Sequence, residues 1–369
     1  MKKTADSKKR YPWIDALRAM AAIGIIMMHM ISESNNRYDI GGVVAVRVIP
    51  WFTQLVYLFM MISAFGMCCG YHKRMLNGQC DIASFYKKRA VRILPFFSFL
   101  VVLDLLTDLS FKRILEGFAN VTLMFGLLPE PSRLTVIGVG WFIGVTFIFY
   151  ALFPLFCVLT GTKAAAWKTF VCACVYNFAC TYHFLSPEQY PDGYFVRQNF
   201  LYCSMFFVAG ALIYLYKDDI VTHLADHWLP FMGISLLITV IYFVTPAIYQ
   251  NKYLRIFYIL LIFASWLICA IIKDLTYTSL PGRFIKILAG YSMEIYLCHM
   301  MVFRVLQKLK INYLFGHGIL SYICTVIAVL LGALAVAIVF NTLWSRLSVL
   351  TEKRHDAKRN SNKLRKDAS

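Results

Sequence analysis

The chain has 369 residues, 60% of them hydrophobic and 15% charged, with a formal charge of +18. That apolar share excludes an ordinary soluble domain and fits an all-α, polytopic transmembrane helical bundle. The basic excess sits in loops and tails, so it reads as positive-inside topology facing membrane lipids, with no nucleic-acid partner.

Residues 1–10 form a short basic tail with no cleavage pattern behind it, and no cleavable signal peptide is expected. Apolar runs predict ten spans near 13–31, 48–70, 93–111, 138–159, 165–185, 199–216, 228–248, 253–272, 287–306 and 318–345. Residues 1–345 then form the membrane-embedded domain, and 346–369 a basic cytoplasmic tail predicted to be disordered. The stretch 114–130 is apolar but shorter, and carries Glu116, Asn120 and two terminal prolines. It reads as re-entrant, interfacial or an eleventh span. Ten spans leave both termini in the cytoplasm, with about 25 Lys and Arg on that side; eleven would put the basic tail outside. No internal repeat or broken-helix pair of the transporter kind is visible. The 11 cysteines lie mostly in apolar runs without CxxC or zinc spacing, so they read as packing residues and no metal is expected.

The first span places Asp15, Arg18 and His29 in an apolar run. Ionisable groups near a bilayer centre cost roughly 2.5–3.5 kcal/mol each on insertion scales, so three in one helix point to a site. Arg18 and His29 share one helix face, about 16 Å apart along the axis. Asp15 stands one turn before Arg18 and can pair with it. A fixed cation near the cytoplasmic end and an imidazole deeper in suit a long anionic cofactor that delivers its reactive end to His29. The competing reading has Asp15 and Arg18 anchored at the interface and His29 satisfied by a neighbouring helix.

Further along, Arg89 and Arg92 stand i, i+3 at the cytoplasmic start of the third span. Two guanidiniums on one face make a phosphate clamp, or else ordinary positive-inside charge. Trp141, Tyr150 and Pro154 read equally as interfacial anchors with a kink or as part of a site. Ser292, Tyr296 and His299 follow i, i+4, i+7 and line one face, as interhelical glue or as the wall of a polar cavity. Glu294 points elsewhere with no partner in view, and Asp104 and Asp108 form a further unpaired i, i+4 set.

In order and spacing, these motifs resemble the acyltransferase-3 family of bacterial integral membrane acyltransferases. The resemblance runs over nearly the whole chain. It is carried by Asp15-x-x-Arg18 with His29, by Tyr57 through Ser63-Ala64-Phe65, and by Arg89-x-x-Arg92 closing in Ile93-Leu94-Pro95. Trp141 through Phe149-Tyr150 to Pro154 and Ser292-x-Glu294-Ile295-Tyr296-Leu297-x-His299 complete it. Two signatures depart: Thr146 and Phe147 stand where many members carry Glu, and Ala64 replaces the usual Gly.

The resemblance implies an O-acyltransferase of the glycan O-acetyltransferase type, multi-pass in the cytoplasmic (inner) membrane, without an appended hydrolase-like domain. The implied donor is acetyl-CoA or another acyl-CoA, held by Arg89, Arg92 and Arg18. His29, with Arg18, is the implied catalytic group, as general base or transient acyl carrier, a role suited to a group titrating near neutrality. Asp15 supports Arg18, while Ser292, Tyr296, His299, Trp141 and Tyr150 line the substrate side. The implied acceptor is a hydroxyl of a cell-surface glycan or lipid-linked sugar. A transporter or flippase of a glycan precursor, or a structural partner of a glycan-assembly complex, would also want basic loops and buried polar residues.

Overall fold

The computed structural model describes residues 11–34, 38–128, 134, 136–191, 195–273 and 279–367, with backbone alone at 124 and from 349 on. Among the described residues there is no strand. The helices are α1 (Pro12–Glu33), α2 (Ile49–Trp51), α3 (Leu55–Met67), α4 (Lys73–Leu76), α5 (Ile82–Leu105) and α6 (Phe111–Thr122). There follow α7 (Trp141–Ala151), α8 (Phe153–Leu159), α9 (Lys163–Ala179), α10 (Phe200–Leu215), α11 (Lys217–Leu224) and α12 (Trp228–Val244). The last are α13 (Pro246–Gln250), α14 (Lys252–Ile272), α15 (Leu280–Gly290), α16 (Ser292–Lys308) and α17 (Ile319–Asp367).

Local chemistry sets the helix starts. Pro12 opens α1, where its missing N–H costs nothing. Asp81 caps α5 by accepting from the Ala83 and Ser84 N–H groups at 3.3 and 3.0 Å. Those bonds, with the Ser84 side chain, hold its carboxyl below the usual carboxylate range. Ser110, Thr162, Asn199, Asn251 and Ser279 cap α6, α9, α10, α14 and α15 in the same way.

Among the described residues, four helical stretches are long and apolar enough to cross a membrane: Pro12–Glu33, Val44–Leu76, Lys252–Ile272 and Ile319–Ser348. Two bent pairs raise that to six if each is one span: Gly138–Ala151 with Phe153–Leu159, bent by 59°, and Phe200–Leu215 with Lys217–Leu224, bent by 64°. The other segments of the expected ten differ for physical reasons. α5 carries Lys87, Lys88, Arg89 and Arg92 in its first half, and the apolar α12 is only 17 residues long. Leu229, Leu236, Leu237 and Val244 of α12 stand more than half exposed, a surface that suits hydrocarbon and not water.

The open question over 114–130 is answered by α6 as far as that stretch is described. Twelve helical residues cannot span about 30 Å of hydrocarbon. Phe111, Leu115 and Phe118 face outward while Glu116, Gly117 and Asn120 are buried, so α6 is amphipathic with its apolar face outermost. Leu123 then turns the chain at φ 58° into the 3-10 turn Met124–Leu127, which packs on α7. Gly126 and Gly144 meet there; a Cβ on Gly144 would lie 2.9 Å from the Gly126 Cα. The two closing prolines, 129 and 131, lie outside the described residues.

Ion pairs fix the helices that frame the site. Arg92 of α5 pairs with Glu294 of α16 at 2.7 Å, and Asp104 of α5 pairs with Arg304 of α16 at 3.7 Å and with Arg113 of α6. Because 92 and 104 match 294 and 304 in order, α5 and α16 run parallel and are tied at two points. Asp104, Asp108 and Glu294, which the sequence left without partners, are therefore all paired. Behind the site, α10 packs on α3 with Tyr57 stacked on Phe206 at 4.3 Å. The backbones approach closely at Gly210, where a Cβ would stand 2.2 Å from the Met61 carbonyl oxygen.

α17 leaves the bundle as one helix and continues to Asp367, so a helical tail stands where disorder was expected. The segment is rich in Lys and Arg, which favour helix when no Pro or Gly interrupts them.

Candidate active site

A pocket of about 330 Å³ opens at the end of the bundle where α1 begins and α15 meets α16. Five helices bring polar side chains to it: Asp15 and Arg18 from α1, Ser63 from α3, Arg89 and Arg92 from α5, Thr146 and Tyr150 from α7, and Ser292 and Tyr296 from α16. Phe59, Ile93 and Phe142 supply apolar wall. Eight of the ten residues singled out from the sequence are thus either in this pocket or, for Trp141, one residue from its wall; the two histidines lie deeper.

Arg18 lies 3.8 Å from Asp15, on one face as their spacing requires. Arg89 donates to the Tyr71 hydroxyl at 3.3 Å and lies over the rings of Tyr71 and Tyr150 at 5.3 and 6.0 Å. Its Nε is buried with no hydrogen-bond partner in the protein. A buried donor left unmade is costly. Thr146 Oγ1 is likewise buried and unpartnered.

Arg92 behaves differently from Arg89. Its Nη1 and Nη2 donate to the two Glu294 carboxylate oxygens at 2.7 and 3.4 Å, and Nη2 also to the Gly290 carbonyl at 3.1 Å. Glu294 is 1% exposed, so it needs a cation. The two arginines share a helix face, but one stacks on aromatic rings and the other neutralises a buried carboxylate.

Tyr150 and Ser63 share a hydrogen bond of 2.8 Å, and Tyr296 donates to the Val139 carbonyl at 2.8 Å. Trp141 does not reach the pocket; it packs edge-on against Phe142 with centroids 6.1 Å apart.

The stripe on α16 continues past the pocket. Ser292 and Tyr296 line it, while His299 sits one turn deeper, fully buried, with its ring 5.9 Å from Tyr296. There it meets His29 of α1, ring centroids 5.1 Å apart and planes at 47°. His299 Nδ1 lies 2.5 Å from the Tyr296 carbonyl oxygen. A carbonyl can only accept, so Nδ1 carries the proton and Nε2 is left with a lone pair. That Nε2 is buried and has no partner in the protein. The geometry sets an imidazole oriented by the backbone beside a second, partly exposed one.

Sequence reasoning passed over Arg197. It projects from the 3-10 turn Val196–Gln198 ahead of α10 and donates to Thr53 Oγ1. Its charge acts on His29, Tyr57 and Tyr296, so it stands near the imidazole pair, and its partner Thr53 lies ten residues before the pocket residue Ser63. The available signal was a lone Arg directly before an apolar span, which reads as ordinary loop charge. Among the described residues no group of three His, Cys, Asp or Glu side chains could hold a metal ion.

Apolar helices around a cation-rimmed pocket, with imidazoles below it, are the parts of a membrane-embedded transferase. The chain belongs to the acyltransferase-3 family: the sequence model of the family's acyltransferase domain matches residues 11–342. Membership makes the protein a membrane acyltransferase, and the matched region carries every residue of the pocket. No curated protein and no solved structure matches the chain.

Proposed function

We propose that this protein moves an acetyl group from acetyl-CoA to a hydroxyl of a cell-surface glycan or lipid-linked sugar. The observation that carries the reading is the pocket itself. It collects Arg18, Arg89 and Arg92 at one end of the bundle, and its Tyr296 wall touches the His29–His299 pair. In this reading the protein sits in the inner membrane with ten spans and both termini cytoplasmic, so the pocket mouth faces the cytosolic acyl-CoA pool.

Arg89 and Arg18 meet the donor's pyrophosphate, with the unpartnered Arg89 Nε supplying one bond. Arg92, tied to Glu294, fixes the wall between α5 and α16. The pantetheine arm passes Ser292, Tyr150 and Tyr296 toward the imidazoles, and Asp15 holds Arg18 in register. His29 then takes the proton of the acceptor hydroxyl while that oxygen attacks the thioester carbonyl. The C–S bond breaks, and the imidazolium returns the proton to the leaving thiolate. The products are the O-acetyl ester and free CoA thiol, and His29 ends neutral. His299, its Nδ1–H fixed by the Tyr296 carbonyl, packs its ring beside His29. Arg197 lies on the acceptor side.

Purified protein incubated with radiolabelled acetyl-CoA tests the reading. An acetyltransferase binds the donor saturably and passes label to added glycan acceptor. A transporter of glycan precursors neither binds it nor moves label, and that result would overturn the proposal.

A further inference from the structure

Among the described residues, five side chains with hydroxyls line the pocket: Ser63, Thr146, Tyr150, Ser292 and Tyr296. Four of them are engaged within the protein. Ser63 and Tyr150 bond each other at 2.8 Å, Ser292 donates to the Ala289 carbonyl at 3.0 Å, and Tyr296 donates to the Val139 carbonyl at 2.8 Å. Thr146 is 6% exposed, and its Oγ1 has no hydrogen-bond partner among the described residues. We propose that Thr146 holds an amide of the pantetheine arm of the acyl-CoA donor; this rests on the acyl-CoA reading above.

Other helical threonines of this chain are treated differently. Thr169, Thr239, Thr325 and Thr342 each donate to the carbonyl four residues back, at 2.8–3.0 Å. That local bond is open to a threonine in any helix and satisfies the hydroxyl without help from another element. Thr146 does not make it to the Phe142 carbonyl. A buried polar atom without a partner is costly, and folds keep few of them. Its place in the wall of a pocket says what completes this one.

Position and chemistry agree. Phe142, Thr146 and Tyr150 follow one another at four-residue steps on α7, and all three line the pocket. Each step is about 6 Å along the helix axis. From the mouth inward the order is Arg89 over the Tyr150 ring, then Thr146, then Phe142 packed on Tyr296 at 5.3 Å, with His299 beyond. Thr146 thus stands between the guanidinium assigned to phosphate and the imidazoles assigned to the acyl group. The pantetheine arm fills that interval, and the polar groups along it are amides. A threonine hydroxyl donates to an amide carbonyl or accepts from an amide N–H. Phe59, Ile62 and Ile143 give the arm's methylenes an apolar wall. Oγ1 itself is covered, and a threonine in a helix has a second χ1 well through which the hydroxyl turns to the pocket.

A bound water would satisfy the same hydroxyl, and the test separates water from the arm. Binding of acetyl-CoA and of adenosine 3′,5′-bisphosphate, which has phosphates but no pantetheine arm, is measured on the full-length protein in nanodiscs. Wild type is compared with Thr146→Val, Thr146→Ala and Thr146→Ser. Val and Ala are expected to lose acetyl-CoA affinity by about three- to ten-fold, the loss of one neutral hydrogen bond, and to bind the bisphosphate like wild type. Ser keeps the hydroxyl and should stay within roughly two-fold of wild type for both ligands. The thermal midpoint of Thr146→Val without ligand should be unchanged or raised, because the change removes an unsatisfied polar atom and keeps the branched shape. If Val and Ala bind acetyl-CoA as wild type does, the hydroxyl serves water alone; the anchor is wrong and the donor reading stands. An equal loss for both ligands, or a lowered midpoint for Val, makes the hydroxyl part of the protein's own packing and also overturns the anchor. If wild type fails to bind acetyl-CoA, the donor reading falls, and the anchor with it.

Discussion

The mouth of the pocket and the middle of the bundle handle polar groups in opposite ways. At the mouth, two cations stand beside carboxylates: Arg92 by Glu294, and Arg18 by Asp15. In the middle, His299 is held only at Nδ1, its Nε2 left open toward an apolar interior and a second imidazole. A buried polar atom without a partner costs about 1–3 kcal/mol, so a fold keeps one where a substrate group completes it. The comparison teaches that charge density alone does not locate chemistry. In the proposed function the most charged region supplies binding and rigidity, and the sparsest polar pair supplies the reacting base.

The sharpest way to break this comparison is His29→Ala. Losing the base should lower transfer by about 10²–10⁴-fold at unchanged membrane abundance, because a neutral Ala costs the helix nothing on insertion. Activity in isolated membranes within a few-fold of wild type would remove His29 from the chemistry.

Arg92→Ala is next, and its effect should be on folding. It strands a carboxylate that is 1% exposed, at a cost of about 3 kcal/mol, the low end for a broken buried pair because Arg92 itself is half in solvent. Abundance and thermal midpoint should fall, and Glu294→Gln in the same chain should restore them by removing the stranded charge. If Glu294→Gln fails to rescue, the pair is not what holds α5 to α16.

Arg89→Ala should do the reverse: normal abundance, with apparent acetyl-CoA affinity reduced roughly 10- to 150-fold, one charge-assisted bond to phosphate. A lowered maximal rate with an unchanged donor constant would count against a phosphate contact there.

A smaller loss, about ten-fold in transfer at matched protein level, is expected for Arg18→Lys. It keeps the charge but loses the planar fork that faces both Asp15 and the pocket. Near-full activity would return Arg18 to a topological anchor.

Smallest of all is Lys163→Ala. Lys163, at the start of α9, pairs with Asp219 of α11 at 2.5 Å, both exposed and neither lining the pocket. Hydrogen bonding between them raises the ammonium pKa and lowers that of the carboxyl. Whatever stability the pair adds is present above the ordinary carboxylate pKa. It is lost as pH falls through the lowered one, or rises through the raised ammonium value. Transfer at neutral pH should not change; a clear loss would mean that this pair belongs to the working pocket.

Periodicity made parts of this site legible. Asp15 with Arg18, and Ser292 with Tyr296 and His299, are local relations on single helices, and the fold keeps them. Pairings between distant segments carry no such signal. Glu294 and Arg92 are 202 positions apart, and Asp104 finds its partners on α6 and α16, so each looked isolated. Hydropathy also reports apolar content without direction. The run 138–159 reads as one span, yet Pro154 follows a break between α7 and α8, with a bend of 59°. The inverted face of α6 escaped for a related reason: its apolar residues are helical in period but turned outward.

The most direct test of the account measures binding and chemistry in one preparation. Acetyl-CoA affinity and single-turnover acetyl transfer are determined side by side for wild type, Arg89→Ala and His29→Ala. The account predicts a double dissociation. Arg89→Ala should bind weakly yet transfer at a near-normal rate once saturated, while His29→Ala should bind like wild type and fail to transfer. If His29→Ala loses affinity and Arg89→Ala loses only rate, the division between a binding mouth and a reacting middle is wrong.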